Sequence, residues 1–154
     1  MIAKPTRSVG GGSGIHKIKN DCGEYWIDQR TVTAEELKEA VCKWEEYIIV
    51  DFVNQAMYSD EIYTETTNTI RVVTVQRKNG DFDVVLAFHR FGTDSSRPVD
   101  NICSGGVVAL VDLNNGQLSV AKRVTEPNKS YSNHPDSGSL IEGVQIPKWN
   151  QLKQ

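Results

Sequence analysis

This chain of 154 residues has no run of eighteen or more apolar residues, the length a helix needs to cross a bilayer. It also shows no apolar leader, because Lys4, Pro5 and a group of glycines interrupt its start, so a cytoplasmic protein is expected. Seventeen Lys and Arg against twenty Asp and Glu give a net charge of -3 at pH 7, without the basic excess that marks a nucleic-acid partner. Cysteine is scarce. Cys22, Cys42 and Cys103 are odd in number and far apart, which excludes a disulfide framework and a zinc knuckle and predicts buried thiols. His134, Asp136 and Glu142 lack the spacing of metal ligands. The content of 38% hydrophobic and 24% charged residues suits one ordinary domain or two small lobes with a core.

The most informative stretch is the first fourteen residues. Ile2-Ala3-Lys4-Pro5 reads as the end of a strand, and Ser8-Val9-Gly10-Gly11-Gly12-Ser13-Gly14 as a loop with four glycines in five positions. A strand lysine presents three donors from one point charge, suited to the α- and β-phosphates of a nucleotide. Glycines let backbone amides close over phosphate with no Cβ in the way. The spacing is neither GxxxxGK[ST] nor a dinucleotide fingerprint, since no helix follows at once. A glycine-rich surface loop beside an ordinary lysine has the same composition.

Residues 15–19 alternate and form the returning strand; Asn20, Asp21 and Gly23 make a turn before a short strand at Glu24-Tyr25-Trp26-Ile27. Thr33 with Glu36 is a capping box, and Leu37, Ala40, Val41 and Trp44 recur at helical steps, predicting an amphipathic helix over 34–46. The nearly continuous apolar run at 47–53 predicts a buried strand. Asp51 lies near its end, where main-chain groups beside an apolar slot can read the edge of an adenine ring. A short helix or ordered loop is expected over 55–63. Residues 69–77 and 82–91, joined by Asn79-Gly80, predict a tight hairpin. A second hairpin follows around Asn114-Asn115-Gly116. From Pro127 the chain reads as loop, with a turn at His134-Pro135-Asp136-Ser137-Gly138 and a helix beginning near Trp149. The pattern is α+β.

Arg71 and Arg90 fall inside the apolar strands of the first hairpin, where a guanidinium must reach a lip, a carboxylate or an anionic ligand. Arg71 has the opposite parity to Ile70 and Val72 and is expected to face a cleft. His89, on the face opposite Arg90, is expected to be a packing or hydrogen-bonding residue. Gly105-Gly106 is either a ligand-approaching loop or a tight turn into a strand, and Asp112 is expected to start the Asn-Asn-Gly turn.

Taken in order, Lys4-Pro5 with Gly10–Gly14, the stretch Ile48-Ile49-Val50-Asp51-Phe52-Val53, and Asn68-Thr69-Ile70-Arg71-Val72-Val73-Thr74 resemble the ATP-grasp superfamily. The later motifs Asp100-Asn101, Gly105-Gly106, Asp112-Leu113, His134-Pro135-Asp136 and Ile146-Pro147-Lys148-Trp149 narrow this to the sugar-transfer-associated ATP-grasp proteins, related to α-L-glutamate ligases. The resemblance spans nearly the whole chain. It implies an ATP-grasp-like α+β fold, with a nucleotide-lid subdomain over 1–53 and an incomplete second lobe of antiparallel strands over 54–154. It implies ATP and magnesium as cofactors, Lys4 on the α/β-phosphates, and Ser8, Gly10, Gly11, Gly12, Ser13 and Gly14 over them. Ile49, Val50 and Asp51 would line the adenine, with Arg71 and Arg90 as catalytic residues near the transferred phosphate or acceptor carboxylate. Such enzymes form an acyl phosphate that an amine or similar nucleophile attacks; the acceptor would be a small or sugar-linked molecule. The magnesium ligands, a late acidic residue and a Glu-x-Asn-like pair, would lie beyond Trp149. On this reading the chain is an internal fragment, inactive by itself and open to dimerisation through exposed edges. The alternative is a non-catalytic ATP-grasp-like or glycan-binding module.

Overall fold

The computed structural model describes residues 1–7 and 10–153, and the chain divides into two units, Met1–Asn54 and Gln55–Gln154. The first unit contains β1 (Ile2–Pro5), β2 (His16–Asp21), β3 (Glu24–Ile27), β4 (Arg30–Val32), α1 (Ala34–Lys43) and β5 (Tyr47–Val50). Its strands form one antiparallel sheet in the order β4-β3-β2-β1-β5. The β2–β3 reversal sits at Cys22-Gly23, with φ of 49° and 93°, because Asp21 still pairs with Glu24. The expected turn at Asn20, Asp21 and Gly23 forms at Gly23, while Asn20 and Asp21 still belong to β2. Strand β4 was not foreseen: it is three residues long, too short for a periodic signal.

The capping box forms as expected, with Glu36 N donating to Thr33 Oγ1 at 3.1 Å and Thr33 N donating to the Glu36 carboxylate at 2.8 Å. The helix stops at Lys43, short of the expected 46, and Trp44 caps it. The Trp44 ring then lies against His16 and Tyr47 at 4.8 and 5.6 Å between centroids. The buried strand expected over 47–53 is corrected: only Tyr47–Val50 is a strand, and Ile48 and Ile49 are 44% and 45% exposed. It is an edge strand of this sheet, paired on β1, and its apolar content alone does not bury it.

The second unit contains α2 (Met57–Ile62), β6 (Thr69–Gln76), β7 (Phe82–Phe91), a 3-10 turn (Ile102–Ser104), β8 (Val107–Val111), β9 (Leu118–Arg123), β10 (Glu126–Tyr131) and α3 (Trp149–Leu152). Its five strands run as an antiparallel meander in the order β10-β9-β8-β7-β6. Ala87, Phe91, Val107, Ala109, Leu118 and Ala121 pack on one side of this sheet against Ile62, Tyr63, Ile141, Ile146 and Trp149. The fold class is α+β, with two antiparallel sheets and three helices among the described residues.

The first hairpin reverses through a longer loop than the expected two-residue Asn-Gly turn. Arg77 N donates to Asp81 O at 2.7 Å, Gly80 N to Arg77 O at 3.0 Å, and only Gly80 takes a left-handed φ, 94°. Strand β10 replaces part of the loop expected from Pro127. Proline is tolerated there because β10 is an edge strand, irregular between Glu126 and Ser130. All three cysteines are exposed, correcting the expectation of buried thiols. They sit in a hairpin turn, on a helix with no buried residue, and in the 3-10 turn, none of which lies over a core.

Asn68 ties the start of β6 to α2 and to the end of β7. Its Nδ2 donates to Tyr63 O at 2.7 Å and Ser59 Oγ at 3.2 Å, and its Oδ1 accepts from Thr66 Oγ1 at 2.8 Å and Gly92 N at 3.1 Å. Gly92 has no room for a side chain, because a Cβ would overlap Thr66. Asn68→Ala and Gly92→Ala should each destabilise the second unit by about 1–3 kcal/mol in urea unfolding, one through orphaned polar groups and the other through overpacking. Asn79→Ala, in the exposed hairpin loop, should change the midpoint little.

Candidate functional site

In the first unit, β1 is the middle of the relevant register. Ile2 pairs with Lys17 and Val50, Ala3 with His16 and Ile49, and Lys4 with Ile48. Because side chains alternate, Lys4, Lys17, Lys19, Ile48 and Val50 share one face of the sheet. Ala3, His16, Ile18, Tyr47 and Ile49 share the other, where Trp44 stacks and where Ala3 and Ile18 are buried. Three ammonium groups thus stand on the face away from this packing. Lys17 is 8% exposed, with Nζ 4.5 Å from the centroid of Phe52. Reading the sequence singled out only Lys4. The alternation of residues 15–19 was visible, but the face that Lys17 and Lys19 share with Lys4 depends on cross-strand pairing.

The glycine loop joins β1 to β2, and Gly10, Gly11, Gly12 and Gly14 all have left-handed φ between 72° and 89°. At Gly14 the need is also steric: a Cβ would lie 2.8 Å from Tyr47 Oη and 3.6 Å from Pro5 Cγ. Ser13 is exposed, and Ser8 lies outside the described residues. Ile49, Val50 and Asp51 are exposed at the end of the edge strand β5, beside β1.

In the second unit, Thr69 pairs with Arg90, Arg71 with Phe88, and Val108 with both Arg90 and Lys122. Arg71, Arg90 and Lys122 therefore share the sheet face opposite the buried one. Arg90 Nε and Nη2 donate to Thr69 Oγ1 at 3.0 and 2.6 Å, and Nη2 is 3.3 Å from Asp100. Thr69 Oγ1 in turn donates to Asp100. Burial pushes the Asp100 carboxyl up, against the opposing pull of Thr69 and Arg90. Arg71 is exposed and has no ion-pair partner among the described residues. Lys122 donates to Ser130 Oγ at 2.7 Å.

The remaining motifs are structural. Gly106 N donates to Asn101 O at 3.0 Å and a Cβ there would lie 2.9 Å from the same carbonyl, so Gly105-Gly106 is a tight turn into β8. Asp112 accepts from Asn114 N at 2.8 Å and starts its turn as expected. One Glu-x-Asn pair, Glu126-Pro127-Asn128, stands inside the chain rather than beyond Trp149. Its Glu126 accepts from the Tyr131 hydroxyl and lies 3.7 and 3.9 Å from Arg123 and Lys129, and the Tyr131 bond first, then these cations, hold its pKa down. Among the described residues no group of three or more His, Cys, Asp and Glu is placed to hold a metal ion. Clefts of about 370 and 390 Å3 open beside α2, the first lined by Tyr63, Asp94, Arg97 and Asp136 and the second by Tyr58, Leu140 and Val144; neither includes Arg71 or Arg90.

Two histidines belong to the core. His89 stacks on Phe91 at 4.1 Å, and its Nδ1 lies 3.2 Å from Arg90 O and its Nε2 2.9 Å from Tyr58 Oη. The carbonyl at Nδ1 selects the tautomer that donates there and accepts from Tyr58 at Nε2. His134 is held with the opposite tautomer: Nε2 donates to Gly92 O at 2.7 Å, while Nδ1 accepts from Asp136 N and Ser137 N at 3.3 and 3.2 Å. Both imidazoles are held below their ordinary value, chiefly by burial, His89 to about 4.

A family model described as sugar-transfer associated ATP-grasp matches residues 1–154. The chain belongs to that family. No curated protein and no solved structure matches it. Membership links this ATP-grasp chain to sugar-transfer biology and implies nucleotide binding in general. Among the described residues, no helix is long and apolar enough to cross a membrane.

The buried histidines make the stability of this ATP-grasp chain depend on acid. An unfolded histidine takes up its proton near pH 6.5, whereas folded His89 does so near 4, so stability is full above 6.5 and falls as pH drops through that window. At 1.36 kcal/mol per pH unit the loss from His89 is about 3 kcal/mol. Urea unfolding between pH 7 and 4 should show this decline, and His89→Gln, which cannot titrate, should flatten it.

Proposed function

We propose that this chain binds ATP on the lysine-bearing face of its first unit and serves carboxylate activation of the ATP-grasp type in a sugar-transfer pathway. The observation that carries the reading is the Lys4 strand, which precedes a loop of left-handed glycines from Gly10 to Gly14 and pairs with the exposed edge strand β5. In the reaction class the resemblance implies, a substrate carboxylate takes the γ-phosphoryl group with release of ADP, and an amine or similar nucleophile then attacks the acyl carbon and expels phosphate. Lys4 would neutralise the α/β-phosphates, and the amides of the 10–14 loop would close over them. The main chain of Ile49, Val50 and Asp51 would read the polar edge of adenine. Arg71, exposed and unpaired, would meet the transferred phosphate or the acceptor carboxylate; Arg90, oriented by Thr69 and Asp100, would supply a fixed second charge. Residues 1–53 would then be the lid subdomain and residues 54–154 part of the second lobe.

Calorimetric titration of Mg·ATP checks the reading. Wild type should give saturable heat. Lys4→Ala should weaken binding roughly tenfold, the loss of one charge-assisted contact. Equal binding by both proteins would remove Lys4 from the site, and absence of heat from wild type would sink the nucleotide reading.

A further inference from the structure

We propose that the cleft of about 370 Å3 beside α2 is a saccharide-binding site that holds one neutral pyranose unit. The inference lies wholly within the second unit and stands independently of the nucleotide reading. The cleft opens between the end of α2, the segment after β7 and the 134–138 turn, and Glu61, Tyr63, Asp94, Arg97, Asp136 and Ser137 line it. Its volume is at the small end of the range for ligand pockets, about 300–1,000 Å3. The end of α2 packs on the buried face of the sheet, whereas Arg71 and Arg90 stand on the opposite face, and neither arginine lines the cleft. A ligand there is held and not transformed: the cleft anchors one sugar of a glycan or of a sugar-linked molecule.

The polar walls are ordered by their own contacts. Tyr63 is buried and stacks on His134 at 4.5 Å between centroids, and the Arg97 guanidinium lies 5.6 Å from the centre of the Tyr63 ring. Arg97 Nε donates to Tyr63 Oη at 2.6 Å, and Tyr63 Oη donates to Asp94 Oδ1 at 2.7 Å. Arg97 Nη2 donates to the same Asp94 oxygen. Asp94 N donates to Asp136 Oδ2 at 2.7 Å, and Ser137 Oγ to Ile62 O at 2.6 Å, which ties the three walls together. These bonds select the ligand. An anion would meet the carboxylates of Glu61 and Asp136 beside a guanidinium that Asp94 already offsets. An ammonium gains less than the carboxylates suggest, for the same reason. An apolar ligand would strip water from the polar walls and replace none of its hydrogen bonds. Asp94 and Asp136 each use one carboxylate oxygen in the bonds above, and a carboxylate offers about four lone-pair sites, so both keep acceptor capacity. Sugar hydroxyls match that capacity, because each donates one hydrogen and accepts others. Adjacent hydroxyl pairs also suit the two-oxygen carboxylate and the planar arginine fork.

Amide-resolved NMR titration of the whole chain with methyl α-glucopyranoside, methyl β-galactopyranoside and methyl α-mannopyranoside tests the assignment. At least one glycoside should shift the amides of Asp94, Asp136 and Ser137 saturably, with a Kd on the order of 1 mM. Arg97→Lys, which keeps the charge and loses the planar fork, should weaken that binding about tenfold. Asp136→Asn, which keeps an acceptor for Asp94 N, should weaken it by a smaller factor. Thermal melts accompany both variants; if Arg97→Lys melts early, Asp136→Asn carries the comparison. No shift of these amides with any of the three glycosides would overturn the inference. Shifts produced by methylamine or calcium chloride in place of the glycosides would overturn it in favour of a cation site. Equal glycoside affinity in wild type and the folded variants would overturn it as well, because the sugar would then sit elsewhere.

Discussion

The position of β1 between β2 and β5 is the constraint on which the chemistry of the first unit depends. Antiparallel pairing on both sides fixes which residues lie opposite one another, and strand alternation then assigns every side chain to a face. A slip of one residue in the β1–β2 pairing would send Lys17 and Lys19 to the side of Ala3 and Tyr47 and leave Lys4 alone. The same register sets Gly14 against the Tyr47 hydroxyl, where only glycine has both the backbone conformation and the space. Charge, loop and edge strand are thus consequences of a few backbone hydrogen bonds in a short sheet.

The second unit repeats this logic with arginine. Its sheet buries one face under α2 and the segment ending in Trp149, and leaves the other to Arg71, Arg90 and Lys122. A hydroxyl and a buried carboxylate hold Arg90, whereas Arg71 has neither. Several polar groups inside the core are engaged in pairs or small networks: Asn68 across α2 and β7, His89 with Tyr58, and His134 with Gly92. These interactions specify the fold at neutral pH, and the two neutral histidines make it sensitive to acid.

Much of the fold was legible because local signals agreed with the tertiary outcome. The capping box started α1, the hairpin strands alternated, and the opposite parity of Arg90 and His89 placed one on the open face and the other in the core. Failures came where a local pattern depended on what lay beside it. The apolar run at 47–53 described β-propensity correctly, yet burial depends on what packs over the face of a strand, and Ile48, Ile49 and Val50 stay exposed. Asn79-Gly80 marked a reversal, but the pairing of Gln76 with Phe82 set a longer loop. Pro127 suggested coil, while the edge of a sheet has no use for its missing N–H. Glu126-Pro127-Asn128 was overlooked, and its surroundings turned out to be cationic.

By itself the sequence determined the α+β class, the glycine loop beside a lysine, and the family to which the chain belongs. Those properties reside in residue type and in spacing along the chain, which need no partner to be expressed. Only the tertiary structure decided which lysines share the face of Lys4, which arginine is held and which is open, and that the apolar strand β5 is an edge. These depend on register and on neighbours far away in sequence, and a one-dimensional pattern carries no record of either.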